Sequence, residues 1–207
     1  MKILLFLLLA AILLTGCRQA LPTEPEPTTY QKIQEFLTNL QTYRALATVE
    51  YISNKGSNSY ETIQHGRIGG EYRIEITAPE NLAGHVTSSD TQHIYQFNTR
   101  VNGRVAILAR ESKERSEIFL TSFINNWQAS QTTSVAVTNI DESQFTVLEA
   151  TIPGEHPYLA TQSLWICNET LLPTKLVVFD PNGVERVIVT YHNFEYNVEL
   201  GDALFTV

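Results

Sequence analysis

Apolar and polar residues alternate one by one over much of the chain, which is the pattern of β-strands with one buried face. The clearest case is the segment 43–51, whose apolar residues share one predicted face: Tyr43, Ala45, Ala47, Val49 and Tyr51. The segment 72–77 alternates in the same way, with apolar residues at Tyr72, Ile74 and Ile76. A period of two rather than 3.6 predicts a strand for each segment.

Glycine, proline and asparagine mark the breaks between such segments, as expected for tight turns. The predicted turns lie at 53–59, 66–70, 78–84, 98–103 and 180–183. Further strand-like segments follow in the last third of the chain, at 132–140, 145–153, 160–168, 174–180 and 184–194. Some of these are apolar on both faces, so we expect helices to cover one face and a loop or a partner to cover the other.

Two segments carry the period of a helix instead. In the segment 30–40, apolar side chains recur at Ile33, Phe36, Leu37 and Leu40. In the segment 116–129, they recur at Leu120, Phe123, Ile124 and Trp127. Ser116 is the predicted N-cap of this second helix and Glu117 lies in its first turn, where the helix dipole favours an acidic residue. Each helix therefore has one apolar stripe that needs a sheet to cover it.

These elements predict a mainly β fold of the α+β class. We expect one strongly curved antiparallel sheet of about ten or eleven strands, an unclosed half-barrel, with both helices packed in its concave side. Trp127 and Trp165 either line a cavity or an interface, or belong to the packed core. The pattern does not decide between these alternatives.

The N-terminus has the pattern of a secretory signal peptide, residues 1–16. Lys2 is followed by an unbroken apolar run of 12 residues, from Ile3 to Leu14. A membrane-spanning helix needs about 20 apolar residues, so a permanent span is disfavoured. The run ends in Thr15 and Gly16, directly before Cys17. An ordinary signal peptide that happens to end at a cysteine is the alternative to a lipoprotein signal.

The residues 18–28 contain three prolines and two glutamates and almost nothing apolar. Proline-rich segments are extended by about 3.1 Å per residue, so this one predicts a tether of roughly 30 Å. The segment 17–28 is therefore the predicted attachment point and tether, and 29–207 the predicted single domain.

The chain carries 14 basic and 22 acidic residues, a net charge of −8. Nucleic acid is an improbable partner because phosphate binding needs a basic face. Two cysteines are present. If Cys17 carries a lipid, Cys167 has no intramolecular mate and no disulfide framework follows.

Motifs of catalysis are absent from the sequence. It contains no G-x-S-x-G elbow, no H-E-x-x-H and no P-loop. His85 and His93 would face each other if they lay across one hairpin, but solvated or cross-strand polar histidines explain them better than a metal site does. We therefore expect no enzyme activity, no cofactor and no metal site.

The segments 71–98, 117–127 and 164–197 resemble the superfamily of the outer-membrane lipoprotein carriers LolA and LolB, and most closely its GerS-type germination branch in spore-forming bacteria. Thr15-Gly16-Cys17 resembles the lipobox of bacterial lipoproteins. The sequence departs from the superfamily pattern at Asp90-Thr91, where an Asp-Gly turn is usual. The resemblance implies an unclosed β-barrel around helices and a diacylglycerol on the Cys17 thiol.

Two functions follow from the resemblance. The first is a membrane-anchored, non-enzymatic binding or scaffold protein, with a protein partner such as a cell-wall (spore cortex) amidase in germination or sporulation. The second is a carrier or acceptor of lipids or lipoproteins that holds acyl chains against an apolar concavity. The expected lining is Phe36, Leu37, Leu120, Phe123, Ile124 and Trp127. Both functions place the chain in the cell envelope, outside the cytoplasm, anchored by lipid to the cell membrane or to an outer membrane.

Overall fold

A computed structural model describes residues 26–101, 104–108, 116–130 and 134–206. The predicted signal peptide, Cys17 and most of the predicted tether lie outside the described residues. No helix in these four ranges is long and apolar enough to cross a bilayer.

The described chain begins with helix α1 at Thr29–Asn39, and six strands follow before the second helix: β1 (Thr42–Ser53), β2 (Gly56–Arg67), β3 (Tyr72–Ala78), β4 (His85–Ser89), β5 (His93–Asn98) and β6 (Arg104–Leu108). A short 3-10 turn at Ser116–Ile118 leads into helix α2 at Leu120–Ala129. Five strands complete the sheet: β7 (Val135–Ile140), β8 (Ser143–His156), β9 (Leu159–Cys167), β10 (Pro173–Phe179) and β11 (Glu185–Tyr196). A second 3-10 turn, Asp202–Leu204, lies near the C-terminus.

All eleven strands form one antiparallel sheet in the order β6-β5-β4-β3-β2-β1-β11-β10-β9-β8-β7. Strands β1 to β6 form one meander and strands β7 to β11 form another, and the pairing of β1 with β11 joins the two. The outer strands β6 and β7 are the two edges, so the sheet is not closed. The predicted unclosed antiparallel sheet of ten or eleven strands is confirmed.

The link from one edge of the sheet to the other explains where α2 lies. β6 and β7 are consecutive strands at opposite edges, and α2 lies between them in the chain. The core cluster joins residues of both helices to one face of the central strands, including Val49, Leu176 and Val189. We call this face, which carries Tyr43 to Tyr51 in alternation, the concave face. Its apolar residues and the helical stripes bury one another, as predicted.

The two helices begin in different ways. Thr28 caps α1 through a capping box with Gln31, whose backbone N–H lies 3.3 Å from the Thr28 hydroxyl. The predicted N-cap of the second helix is wrong, because Ser116 opens the 3-10 turn and α2 begins only at Leu120. Phe119 occupies the N-cap position without a side-chain hydrogen bond. Instead, the Tyr43 hydroxyl accepts a hydrogen bond from the Leu120 N–H at 3.3 Å.

The predicted turn at 53–59 is much shorter in the structure. β1 continues to Ser53 and β2 begins at Gly56, so only Asn54 and Lys55 form the turn. The polar residues 57–59 are part of the strand because their backbones pair with β1, as in the pair Ile52–Ser57. Composition misplaced this boundary because backbone pairing extends the hairpin beyond the hydrophobic core.

Candidate functional site

The stripe of α2 lies inside the core. Leu120, Phe123 and Ile124 are at most 1% exposed, and Trp127 is 9% exposed. Phe119, just before the helix, stacks on Tyr72 with ring centroids 4.2 Å apart. These residues pack directly against the concave face.

The stripe of α1 is buried to different depths. Leu37 belongs to the core, whereas Phe36 is half-buried at its margin. The Phe36 ring contacts Tyr196 edge-on at 5.2 Å between centroids. The structure thus places all six residues of the expected lining in or beside the same core, where they contact protein side chains.

A few polar side chains are buried on the concave side. The Gln162 amide donates to the Glu117 carbonyl at 2.6 Å and accepts from Asn126 at 2.8 Å, which ties β9 to the 3-10 turn before α2 and to α2 itself. In contrast, the Gln64 amide and the Trp127 indole N–H have no hydrogen-bond partner within the described part of the chain. Unpaired buried polar groups are costly, so these two groups mark a weak point of the core.

The outer face carries Trp165. This half-buried residue lies between Val147 and Lys175 in the strand register, and the Lys175 ammonium sits 4.1 Å from the centre of its ring. Phe145 contacts the same ring edge-on at 6.4 Å. The two tryptophans thus have different surroundings, since Trp127 packs in the core and Trp165 lies under a cation on the outer face.

The two candidate histidines, His85 and His93, are not brought together in the structure. His85 pairs with Asn98 and His93 pairs with Leu108, so they lie toward opposite ends of the β4–β5 hairpin and do not face each other. Across the four described ranges, no group of three His, Cys, Asp or Glu side chains could hold a metal ion. Cys167 is a half-buried free thiol.

Arg186 braces three hairpins at one end of the sheet. Its guanidinium donates to one oxygen of Asp180 at 2.6 and 2.9 Å and to the Asn54 side-chain oxygen at 3.0 Å. It also lies 5.9 Å from the centre of the Tyr158 ring. Asp180 in turn accepts the backbone N–H groups of Asn182 and Val184. The Val184 N–H and then Arg186 hold the pKa of Asp180 below its usual value, so this carboxyl stays ionised.

A surface pocket of about 390 Å³ opens beside this brace. Its wall comes from the tips of the β1–β2, β8–β9 and β10–β11 hairpins, which meet there although they are far apart in sequence. We call it the tip pocket and define it by Tyr51, Asn54, Lys55, Asn58, Tyr158 and Arg186. Sequence reasoning treated these residues only as turns and strands. The one sequence feature that could have indicated this pocket was an aromatic residue, Tyr158, in an otherwise polar turn.

Comparison with known proteins identifies relatives of this chain. A family model described as sporulation protein YdcC-like matches residues 1–205. No curated protein matches the chain. An uncharacterized conserved protein from Thermus thermophilus shares the fold, with a TM-score of 0.53 at 13% identity over 87% of this chain and 94% of that chain.

The chain is also similar to the structure of the CwlD amidase from Clostridioides difficile in complex with the GerS lipoprotein. That match has a TM-score of 0.51 at 26% identity and covers 84% of this chain and 99% of that chain. A LolA superfamily protein from Nitrosomonas europaea matches with a TM-score of 0.46 at 14% identity, over 87% of this chain and 99% of that chain. The sporulation family model and the match to the structure that contains the GerS lipoprotein confirm the resemblance to the GerS-type branch that was stated from the sequence.

Proposed function

The chain belongs to the YdcC-like sporulation protein family, and from this premise we propose that it is a non-enzymatic scaffold that docks a protein partner outside the cell membrane. The first candidate partner is a cell-wall amidase, because the similar solved structure contains an amidase in complex with a lipoprotein. The Cys17 thiol carries the lipid anchor and the segment after it is the tether.

One observation carries this proposal over the alternative. Five of the six residues that would line an acyl-chain cavity are buried in the core and Phe36 lies half-buried at its margin, and Leu120 and Phe123 are 0% exposed. An acyl chain would therefore have to displace side chains that already contact one another, at a cost of lost packing. A scaffold needs no such opening, since its partner binds the outside of the fold.

Reconstitution with the cell-wall amidases of the same host tests the scaffold directly. The full-length lipoprotein, extracted in detergent, is mixed with each amidase and analysed by size-exclusion chromatography with light scattering. We expect a complex of one lipoprotein to one amidase with at least one of these enzymes. Separate elution of the two proteins in every mixture contradicts the proposal.

The carrier function is a second candidate, favoured by one observation. The Gln64 amide and the Trp127 indole N–H are buried on the concave side without partners within the described part of the chain. The ester oxygens of a lipid would satisfy such donors if the core opened beside them. A carrier of this kind should retain phospholipid through purification, which lipid extraction and mass spectrometry would detect.

A further inference from the structure

The tip pocket has the size and the groups of a ligand site that the scaffold function does not use. Ligand pockets are typically about 300–1,000 Å³ with a few convergent polar groups among aromatic ones, and this pocket holds about 390 Å³. The brace of Arg186, Asp180 and Asn54 fixes its wall before any ligand arrives. A rigid wall lowers the entropic cost of binding.

Two tyrosine rings give the pocket its apolar surface. Tyr51 packs at the margin of the core and contacts Tyr60 edge-on at 6.0 Å, so its ring is held in place. Tyr158 is 52% exposed at the tip of the β8–β9 hairpin. Flat aromatic faces that meet water suit the C–H face of a pyranose ring, which is apolar while its rim carries hydroxyl groups.

The polar groups of the pocket are side-chain amides and one ammonium. The Asn54 side-chain oxygen is occupied by Arg186, which leaves its NH₂ group to donate to a ligand. Asn58 lines the same wall with both an amide donor and an acceptor. Amides of this kind pair with the hydroxyl and acetamido groups of sugars.

The charge of the pocket favours an anion, although the whole chain has a net charge of −8. Arg186 and Lys55 are the charged residues among those that line the pocket, and Arg186 is already paired with Asp180 beside it. Lys55 is exposed and has no ion-pair partner in the ranges that the structure describes. The Lys55 ammonium therefore remains available to pair with a carboxylate of the ligand.

A peptide fits this site less well than a sugar. Peptides are commonly held by main-chain hydrogen bonds to a free strand edge. Here the β1–β2 ladder is paired to its last residues, Ser53 with Gly56, and offers no such edge. Recognition at the tip pocket must come from side chains alone.

We propose that the tip pocket binds a carboxylate-bearing amino sugar of a glycan strand. One sugar ring lies on Tyr158 and Tyr51, its hydroxyl or acetamido groups pair with Asn54 and Asn58, and its carboxylate pairs with Lys55. The source of this ligand rests on the proposed function. An amidase that hydrolyses the amide between a glycan's lactyl group and a peptide uses one water, breaks the C–N bond, and leaves a carboxylate on the glycan and an amine on the peptide.

Calorimetric titration of the full-length protein in detergent with purified, peptide-free glycan strands that carry free lactyl carboxylates tests the site. Wild-type protein should bind, and Tyr158→Ala and Lys55→Ala should each weaken binding at least tenfold. Tyr196→Ala and Lys32→Ala are matched controls, because Tyr196 is 53% exposed and Lys32 is exposed on α1, outside the pocket. Both controls should bind as wild type does.

A second ligand isolates the charge contact. Reduction of the glycan carboxylates to alcohols should lower wild-type affinity to the level of Lys55→Ala and should have no further effect on that variant. Absence of wild-type binding, equal binding by Tyr158→Ala, or preference for an acidic peptide overturns the proposal. The titration contains no amidase, so absence of glycan binding would not contradict the scaffold function. In the same way, absence of a complex with the amidase would not contradict glycan binding at the tip pocket.

Discussion

His65 is held neutral by the burial of its ring and, after that, by its position between two arginines. On β2 it pairs in register with Arg44 on one side and Arg73 on the other. Burial of the ring, then the charges of these two arginines, lower the pKa of His65 from 6.5 to about 4, although Glu75 and Glu195 act in the opposite direction. The ring is thus uncharged at neutral pH, and an added proton would face two cations.

This arrangement predicts a pH-dependent loss of stability. The unfolded chain takes up a proton at His65 near pH 6.5, whereas the folded chain does so only near pH 4, so stability falls as the pH drops through this window. The difference in pKa corresponds to at most about 3 kcal/mol, which solvent screening at the half-buried ring reduces to about 1–2 kcal/mol.

Denaturant unfolding at pH 7.5 and pH 4.5 measures this effect in wild type and in His65→Gln. The variant should lose about 1–2 kcal/mol less than wild type between the two values, because glutamine does not titrate. The acidic residues titrate in both proteins, so their contributions to the loss of stability cancel when the two proteins are compared. Equal losses in the two proteins would show that His65 does not carry the effect.

The position of α2 depends on a contact between distant elements. Its first N–H, that of Leu120, donates to the hydroxyl of Tyr43 on β1, and these residues lie 77 positions apart. Burial raises the pKa of Tyr43 above its usual value, so the hydroxyl remains protonated. The tyrosine thus takes the role at the helix start that the sequence assigned to Ser116.

Removal of two buried hydroxyl groups tests this account of the helix start. Tyr43→Phe should lower the free energy of unfolding by about 1–3 kcal/mol, because it leaves the Leu120 N–H buried without its partner. Tyr191→Phe is the matched control, since the Tyr191 hydroxyl is buried and has no partner in the described part of the chain. Its removal should be neutral or stabilising. A larger loss for Tyr191→Phe than for Tyr43→Phe, measured by chemical denaturation, would refute this account.

Periodicity predicted the elements well and their contacts poorly. Alternation at Tyr43 to Tyr51 and the stripe from Leu120 to Trp127 identified a strand and a helix because each pattern reports local burial. The hydrogen bond from the Leu120 N–H to the Tyr43 hydroxyl could not be predicted from the sequence, because it joins residues far apart in the chain. The tip pocket could not be predicted for the same reason, since its wall combines three hairpin tips. Thr91, where the related pattern has glycine, adopts a φ of +76°, a backbone conformation that glycine reaches more readily than threonine.

At the scale of the whole molecule, we expect the lipid anchor, the tether and the binding domain to be three separate parts of the chain. α1 begins at Thr29, directly after the predicted tether, and its apolar stripe is part of the core. The described part of the core thus includes the first helix after the predicted tether. Membrane attachment should depend on Cys17 and its lipid alone.

Cys17→Ala tests this separation. The variant should leave the membrane fraction and keep the thermal unfolding midpoint of the wild-type domain, because Cys17 lies outside the predicted domain, residues 29–207. Cys167→Ala is the control for loss of a thiol and should stay with the membrane. Fractionation followed by immunoblotting gives the result, and a Cys17→Ala protein that remains membrane-bound would exclude a lipid anchor at this residue.

Native mass spectrometry of the full-length protein, extracted in detergent from sporulating cells of its host, tests the central claim most directly. The scaffold function predicts one species whose mass is that of the lipidated chain plus one cell-wall amidase, with no additional phospholipid. The lipidated chain with bound phospholipid and no amidase, in repeated preparations, would contradict the scaffold and favour the carrier.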